Sequence, residues 1–400
     1  MIVVPSRMGR LNKRAVLVHL RRMGTASRAD LAKALGLSQP TAGKIVDELI
    51  EMGVFEEVPV EVEPKAGNNA RSKAGRPARM LRLSQSKARF LAIQLGIQKT
   101  TFALPSVGSC GEDAWIAEIE TPGSEADLSR RLRETADNLP AKKFWGVIVS
   151  VPGVVDERTS KVIFSPNLHW TAAADLPSLI RQVWKAPVIL VQEEHALALG
   201  HQSADSAEGD DFLLADFGDG VGGAVVIGGK LHSHPLPISG ELGHTPVLGN
   251  SRRCGCGATG CLETLVSTRG LLQSFAAAKP KATRSWQSLT ASVAENGVEP
   301  WLAPALDATA VVVAGALNVL GLRHVVITGT ISEMAAPVVD YLSAAISRGA
   351  LWARFGDVKV EPASRRRVAG LVAAGLDRLI MPMPEGRDHM APVTANTTHS

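Results

Sequence analysis

Residues 252–264 read RRCGCGATGCLET. Three of the chain's four cysteines, Cys254, Cys256 and Cys261, fall here within eight residues. Three readings compete at this point: a disulfide, a redox pair, or a set of metal ligands. Compartment bears on the choice. The N-terminal MIVVPSRMGRLNKR lacks the apolar core of a signal peptide. No apolar run reads as long enough to span a membrane, so a cytoplasmic protein is the expectation. A reducing interior disfavours the disulfide. Cys110 stands apart and reads as a plain thiol of core or surface.

Charge divides the 400-residue chain unevenly. Residues 1–87 carry sixteen Lys/Arg and eight Asp/Glu, a surplus of +8, so residues 88–400 carry −4. A basic N-terminal piece on an acidic body suggests a nucleic-acid module joined to a domain with other work. The basic piece breaks into three helices. Leu11–Met23 is the first. Ser27 caps a second, with Asp30 near its first-turn amides, and Gly36 ends it. Ser38 caps a third, whose buried stripe is Ala42, Ile45, Val46 and Leu49. Gly53 ends that helix, and VFEEV reads as a wing strand. Two short helices around a tight Gly turn match a helix-turn-helix. Its second helix presents Ser38, Gln39, Thr41 and Lys44, and Gln and Lys suit base edges. Residues 65–87 hold seven basic residues and no acidic one. This stretch, with its AGRPAR segment, offers Arg71 and Arg76 as candidates for a narrow minor groove; a solvated linker is the alternative. Double-stranded operator DNA is the expected partner, with nucleoid association when bound.

From Arg89 onward strands alternate with helices. Three strands and then an α/β alternation occur twice, which implies an α/β body of two lobes around a cleft. The expected boundaries are 1–64 for a winged helix-turn-helix domain, 65–87 for a basic linker, 88–383 for the two-lobed body, and 384–400 for a polar, disordered tail. Lobe one covers about 88–190 plus a C-terminal helix at 366–380, and lobe two about 191–365.

VPGVVDERTSKVIFSPNLHW, SGELGH and CGCGATGCLE together resemble the ROK family of sugar kinases and sugar-responsive repressors. With the N-terminal module and the GRP linker, the chain is similar to the repressor branch, which is bacterial. The resemblance implies a two-lobed sugar kinase–actin-like (ribonuclease H-like) fold. It also bears on the cysteines. His244, Cys254, Cys256 and Cys261 supply one nitrogen and three thiolates, a set that suits one tetrahedral structural Zn²⁺. By the same resemblance Glu241, His244 and Glu263 point at sugar hydroxyls, Gln192 and Glu193 line the same cleft, and Asn167 reaches it. His244 would serve both sites, one ring nitrogen on zinc and the other toward the sugar.

The nucleotide side departs from the family. Its Asp-x-Gly-Gly-Thr-Lys turn is QLGIQK here, with Gln94 for Asp, Ile97 for Gly and Gln98 for Thr. The second phosphate loop is GDGVG, which places Asp219 near a triphosphate. Glu193 stands where the family has a catalytic Asp, and its extra methylene moves the carboxylate. No catalytic residue is therefore expected. The expected function is a sugar-responsive repressor of carbohydrate-metabolism genes, acting as a homodimer or a dimer of dimers with no membrane contact. An active or bifunctional sugar kinase is the alternative.

Overall fold

The computed structural model describes residues 5–59, 79–109, 115–140, 143–204, 211–232 and 239–382. Arg71, Arg76, Cys110 and the tail from 384 lie outside them.

The head opens with α1 (Pro5–Met23), β1 (Thr25–Ser27), α2 (Arg28–Ala34) and α3 (Gln39–Glu51). Ser27 and Asp30 form a reciprocal capping box at the start of α2. Ser38 Oγ accepts from the Thr41 amide at the start of α3. Ala42, Ile45, Val46 and Leu49 are buried as the periodicity predicts. Two strands complete the wing: β2 (Phe55–Val58) and β3 (Met80–Leu83). β3 lies between β1 and β2 and is antiparallel to both. This corrects the linker expected over 65–87, since residues 80–83 belong to the head. Basic composition concealed the strand, whose Leu81 is fully buried.

Lobe one contains β4 (Phe90–Leu95), β5 (Lys99–Ala103), β6 (Trp115–Glu120), α4 (Glu125–Asn138), β7 (Gly146–Val151), a hairpin of β8 (Val154–Asp156) and β9 (Lys161–Phe164), α5 (Leu176–Val183) and β10 (Val188–Gln192). Its sheet runs β6-β5-β4-β7-β10. After the connecting α6 (Glu193–Ala204), lobe two contains β11 (Phe212–Phe217), β12 (Val221–Ile227), β13 (Lys230–Leu231), α7 (Glu263–Val266), α8 (Thr268–Ala278), α9 (Trp286–Asn296), α10 (Ala303–Leu320), β14 (His324–Gly329), α11 (Ala336–Gly349) and β15 (Lys359–Pro362). Its sheet runs β13-β12-β11-β14-β15. The two sheets share one topology. Three antiparallel strands come first, and the first of them then pairs in parallel with a strand reached across helices.

One expectation about apolar runs needs correction. α10 is long and apolar enough to cross a membrane by length and composition. Its Leu306, Val313 and Leu317 are buried in the core of lobe two, which fits a core helix as well.

The chain returns to lobe one through α12 (Arg367–Gly375), which a π-helical turn extends over Leu376–Ile380. α12 crosses α6 at backbone contact. A Cβ on Gly370 would lie 1.7 Å from the Ala196 carbonyl oxygen, and one on Gly200 would lie 1.9 Å from that of Arg366. Only glycine permits this approach. The α6/α12 pair also carries the head. A single buried apolar cluster runs from Val16, Leu20 and Leu49 through Leu199 to Val368 and Leu371. Arg14 Nη2 reaches Asp377 Oδ2 at 3.0 Å across the same joint.

Candidate functional site

The ends of both sheets face one cleft of about 840 Å³, counting its open mouth. Asn167, Gln192, Glu193, Glu241, His244 and Glu263, the six expected sugar-side residues, all line it. Gln192 ends β10 and Glu193 begins α6, so the strand-to-helix turn aims both inward. Glu241 and His244 sit on a short 3₁₀ turn held against β12. Gly240, at φ +78°, makes this possible, because a Cβ there would lie 1.8 Å from the Gly223 carbonyl oxygen. Glu263 begins α7 and is buried. Its Oε2 accepts from the Val221 amide at 3.0 Å, and its Oε1 lies 3.8 Å from Cys254 Sγ.

That contact joins the cleft to the cysteine cluster. The ligand atoms of His244, Cys254, Cys256 and Cys261 all lie within 4.8 Å of one another. His244 Nδ1 is 3.6 Å from Cys254 Sγ, and Cys256 Sγ is 3.7 Å from Cys261 Sγ. A tetrahedron with metal–sulfur bonds of about 2.3 Å and a metal–nitrogen bond of about 2.0 Å has edges of roughly 3.8 Å and 3.5 Å. Both separations match, so the cluster can hold a metal ion. His244 turns Nε2 the other way, to 3.7 Å from Glu241 Oε2.

The side of the cleft where the resemblance expects nucleotide carries the chain's own charges. Asp216, at the end of β11, is buried and bonds Arg365 through both carboxylate oxygens, at 2.7 and 2.9 Å. Thr328 Oγ1 also donates to it at 2.7 Å. Burial opposes ionisation of Asp216, but Arg365 and Thr328 outweigh it and hold the carboxyl below its usual range. The Arg365 guanidinium packs against Gly218 of the second phosphate loop and against Gly329. Across the cleft, Ile97 Cδ1 would lie 3.9 Å from a Cβ on Gly220. At the base position Glu193 Oε1 accepts from Arg367 Nη2 at 2.6 Å and from Gln94 Nε2 at 3.3 Å.

Sequence reasoning missed four groups here: Glu157, Glu194, Arg365 and Arg367. Glu157 Oε1 accepts from the Gln192 amide and contacts His195 Nδ1, each at 2.8 Å, and its Oε2 bonds Arg378. Burial opposes its charge, yet His195 and Arg378 hold its carboxyl down at about 2. Glu194 is pushed up to about 8, first by burial and then by Glu193, Glu241 and Asp216. The SRRRVAG run was the available signal for the arginines, and the EE pair of VQEEHALALG for Glu194.

In the head, Ser38, Gln39, Thr41 and Lys44 are all exposed at the start of α3. The Thr41 hydroxyl lies 2.8 Å from Ser38 Oγ, which ties it to the cap. Glu48, partly exposed, pairs with Lys13 of α1 at 2.6 Å.

Known proteins resemble this architecture in both parts. A family model described as "ROK family" matches residues 91–376, and one described as "Winged helix-turn-helix DNA-binding" matches residues 10–56. A xylose repressor of Caldicellulosiruptor bescii is 28% identical over 66% of this chain and 65% of its own length. A xylose repressor of Bacillus subtilis is 26% identical over 66% and 68%. Among solved structures, a ROK family transcriptional regulator homologous to the Escherichia coli MLC protein superposes with a TM-score of 0.71 at 21% identity. That match covers 94% of this chain and 98% of the other. A ROK family glucokinase from Streptomyces griseus gives 0.57 over 71% of this chain and 97% of its own, also at 21% identity.

Proposed function

The chain belongs to the ROK family, and on that premise we propose that it is a sugar-responsive transcriptional repressor that binds DNA through α3 and a sugar through the interlobe cleft. One observation carries the choice of regulator over kinase. Arg365 and Arg367 fill the phosphate loop and neutralise the base position, each on a buried carboxylate. With Asp216 and Glu193 already neutralised, neither carboxylate is free to hold a metal–nucleotide or to take a proton from a sugar hydroxyl. On the cleft's sugar side, Glu241, Glu263 and His244 have no such pair with Lys or Arg among the described residues.

The cysteine cluster is read as a structural zinc site of His244, Cys254, Cys256 and Cys261. Four protein ligands leave no open coordination position, so zinc supplies loop closure and no reaction. It would fix His244 as an Nδ1 ligand and leave Nε2 to face the sugar beside Glu241. Gln39 and Lys44 are assigned to base edges, while Ser38 and Thr41 hold the helix start at the phosphates. The regulator is proposed to act as a homodimer, since winged helices commonly read paired half-sites.

Fluorescence anisotropy tests this reading directly. A duplex selected from a randomised pool is bound, and sugars are titrated without nucleotide. The expected outcome is a change in DNA affinity with sugar alone. Sugar-dependent ADP release at about 1–100 per second would instead establish the kinase.

A further inference from the structure

The cleft is rich in acceptors and short of positive charge. Glu193, Glu194, Asp216, Asp219, Glu241 and Glu263 all line it. Two guanidinium groups line it too, but Arg365 lies on Asp216 and Arg367 on Glu193. The other four carboxyl groups have no Lys or Arg partner among the described residues. His244 does not make up the deficit, because its Nδ1 faces the cysteines. A zinc ion bound by three thiolates would itself be a net anion.

A second observation points to a ligand that donates. Gln192 is 2% exposed and lines the same cleft. Its Oε1 is buried and has no hydrogen-bond donor among the described residues. A buried acceptor left unmatched is costly, and a bound molecule can satisfy it.

We propose that the cleft selects a monosaccharide bearing an ammonium group, a free amino sugar, over its neutral counterpart and over phosphorylated sugars. This rests on the sugar-binding reading above and specifies its ligand class. An ammonium brings three donors and the missing charge to a cleft lined by Glu194, Asp219, Glu241 and Gln192. A hydroxyl at the same carbon brings one donor and no charge. A phosphate brings more negative charge to a cleft whose arginines are already paired, and buried like charges repel strongly. Glu194 supports the assignment. Glu193, Glu241 and Asp216 face it, with Arg365 and Arg367 beyond them on their own carboxylates, and its carboxyl holds its proton up to about 8. An ammonium can take the place of that proton.

The test is isothermal titration calorimetry on the full-length, zinc-loaded protein at about pH 6 and low salt. The probes are glucosamine, galactosamine and mannosamine, each paired with glucose, galactose or mannose and with the 6-phosphate of that neutral sugar. In at least one set the amine should bind ten-fold or more tighter than the neutral sugar, with the 6-phosphate weakest. Added salt should shrink that ratio. Glu194→Gln and Asp219→Asn keep side-chain size and should each move the ratio toward one while the melting temperature holds. A neutral sugar or a 6-phosphate that binds as tightly as its amine in every set would overturn the ammonium preference and leave the sugar site standing. Binding of none of these sugars would overturn both. An amine preference unchanged in both variants would overturn its assignment to these carboxylates.

Discussion

Glu157 is the residue that fixes the geometry of the base position. It holds the Gln192 amide, His195 and Arg378 at once, so it ties β10, α6 and the C-terminal π turn together. Its carboxyl is held at about 2, against 4.5 when unperturbed. A depressed carboxylate stabilises the fold at pH above its unfolded value, and the contribution disappears as pH falls through the folded value. Stability should therefore drop between about pH 4.5 and pH 2, by up to about 3 kcal/mol from this group. In Glu157→Gln that slope should flatten, and stability at pH 7 should fall by about 1–3 kcal/mol, read from urea unfolding across the pH range. The cysteines give a second test at this scale. Metal analysis of the purified protein should find about one zinc per chain, and Cys256→Ser should lower that content and destabilise lobe two. Wild-type protein prepared without chelator and found free of zinc would contradict the site.

Among the elements, the α6/α12 crossing and α3 make separate demands. Gly370→Ala would place a methyl group on the Ala196 carbonyl, and helix backbone on both sides leaves it no room. The expected loss is about 1–3 kcal/mol or more, read as a lower thermal midpoint. For α3, Lys44→Ala and Gln39→Ala should weaken binding to a selected duplex more than to random DNA, because base contacts carry sequence preference. Equal losses on both duplexes would assign them to phosphate contact alone. These elements also show what local sequence can express. Caps at Ser27 and Ser38 and the stripe of α3 all come from near-neighbour chemistry, and all stand as read. Between α7 and α8 the helical run breaks at Ser267, whose side chain accepts from the Gly270 amide to start α8 anew. The Thr268 amide is meanwhile drawn to the Gly218 carbonyl, a partner fifty residues away. Arg365 was hidden for the same reason: its carboxylate lies 149 residues upstream. The six cleft residues were legible from the family motifs, whereas the partners of Glu157, Glu193 and Asp216 are brought to them only by the fold.

At the scale of the whole molecule, the proposed dimer can be tested on apolar side chains that lobe two leaves exposed. Val311 and Val319 of α10 are 72% and 88% exposed, and Phe355 is 76% exposed. Asn318 binds the Gly349 carbonyl and the Leu351 amide, which sets α10 beside the segment that carries Leu351 and Trp352. A double change of Val319→Asp and Phe355→Asp should convert a dimer to a monomer in light scattering and weaken binding to paired half-sites. The apolar cluster shared by α1, α3, α6 and α12 bears on how the protein melts. A head whose buried side chains merge with those of the body has no separate heat-absorption peak of its own. Calorimetry should record the loss of the head and of lobe one as a single cooperative transition. Any molecule that occupies the cleft should then raise the temperature at which α3 unfolds, although it never touches α3.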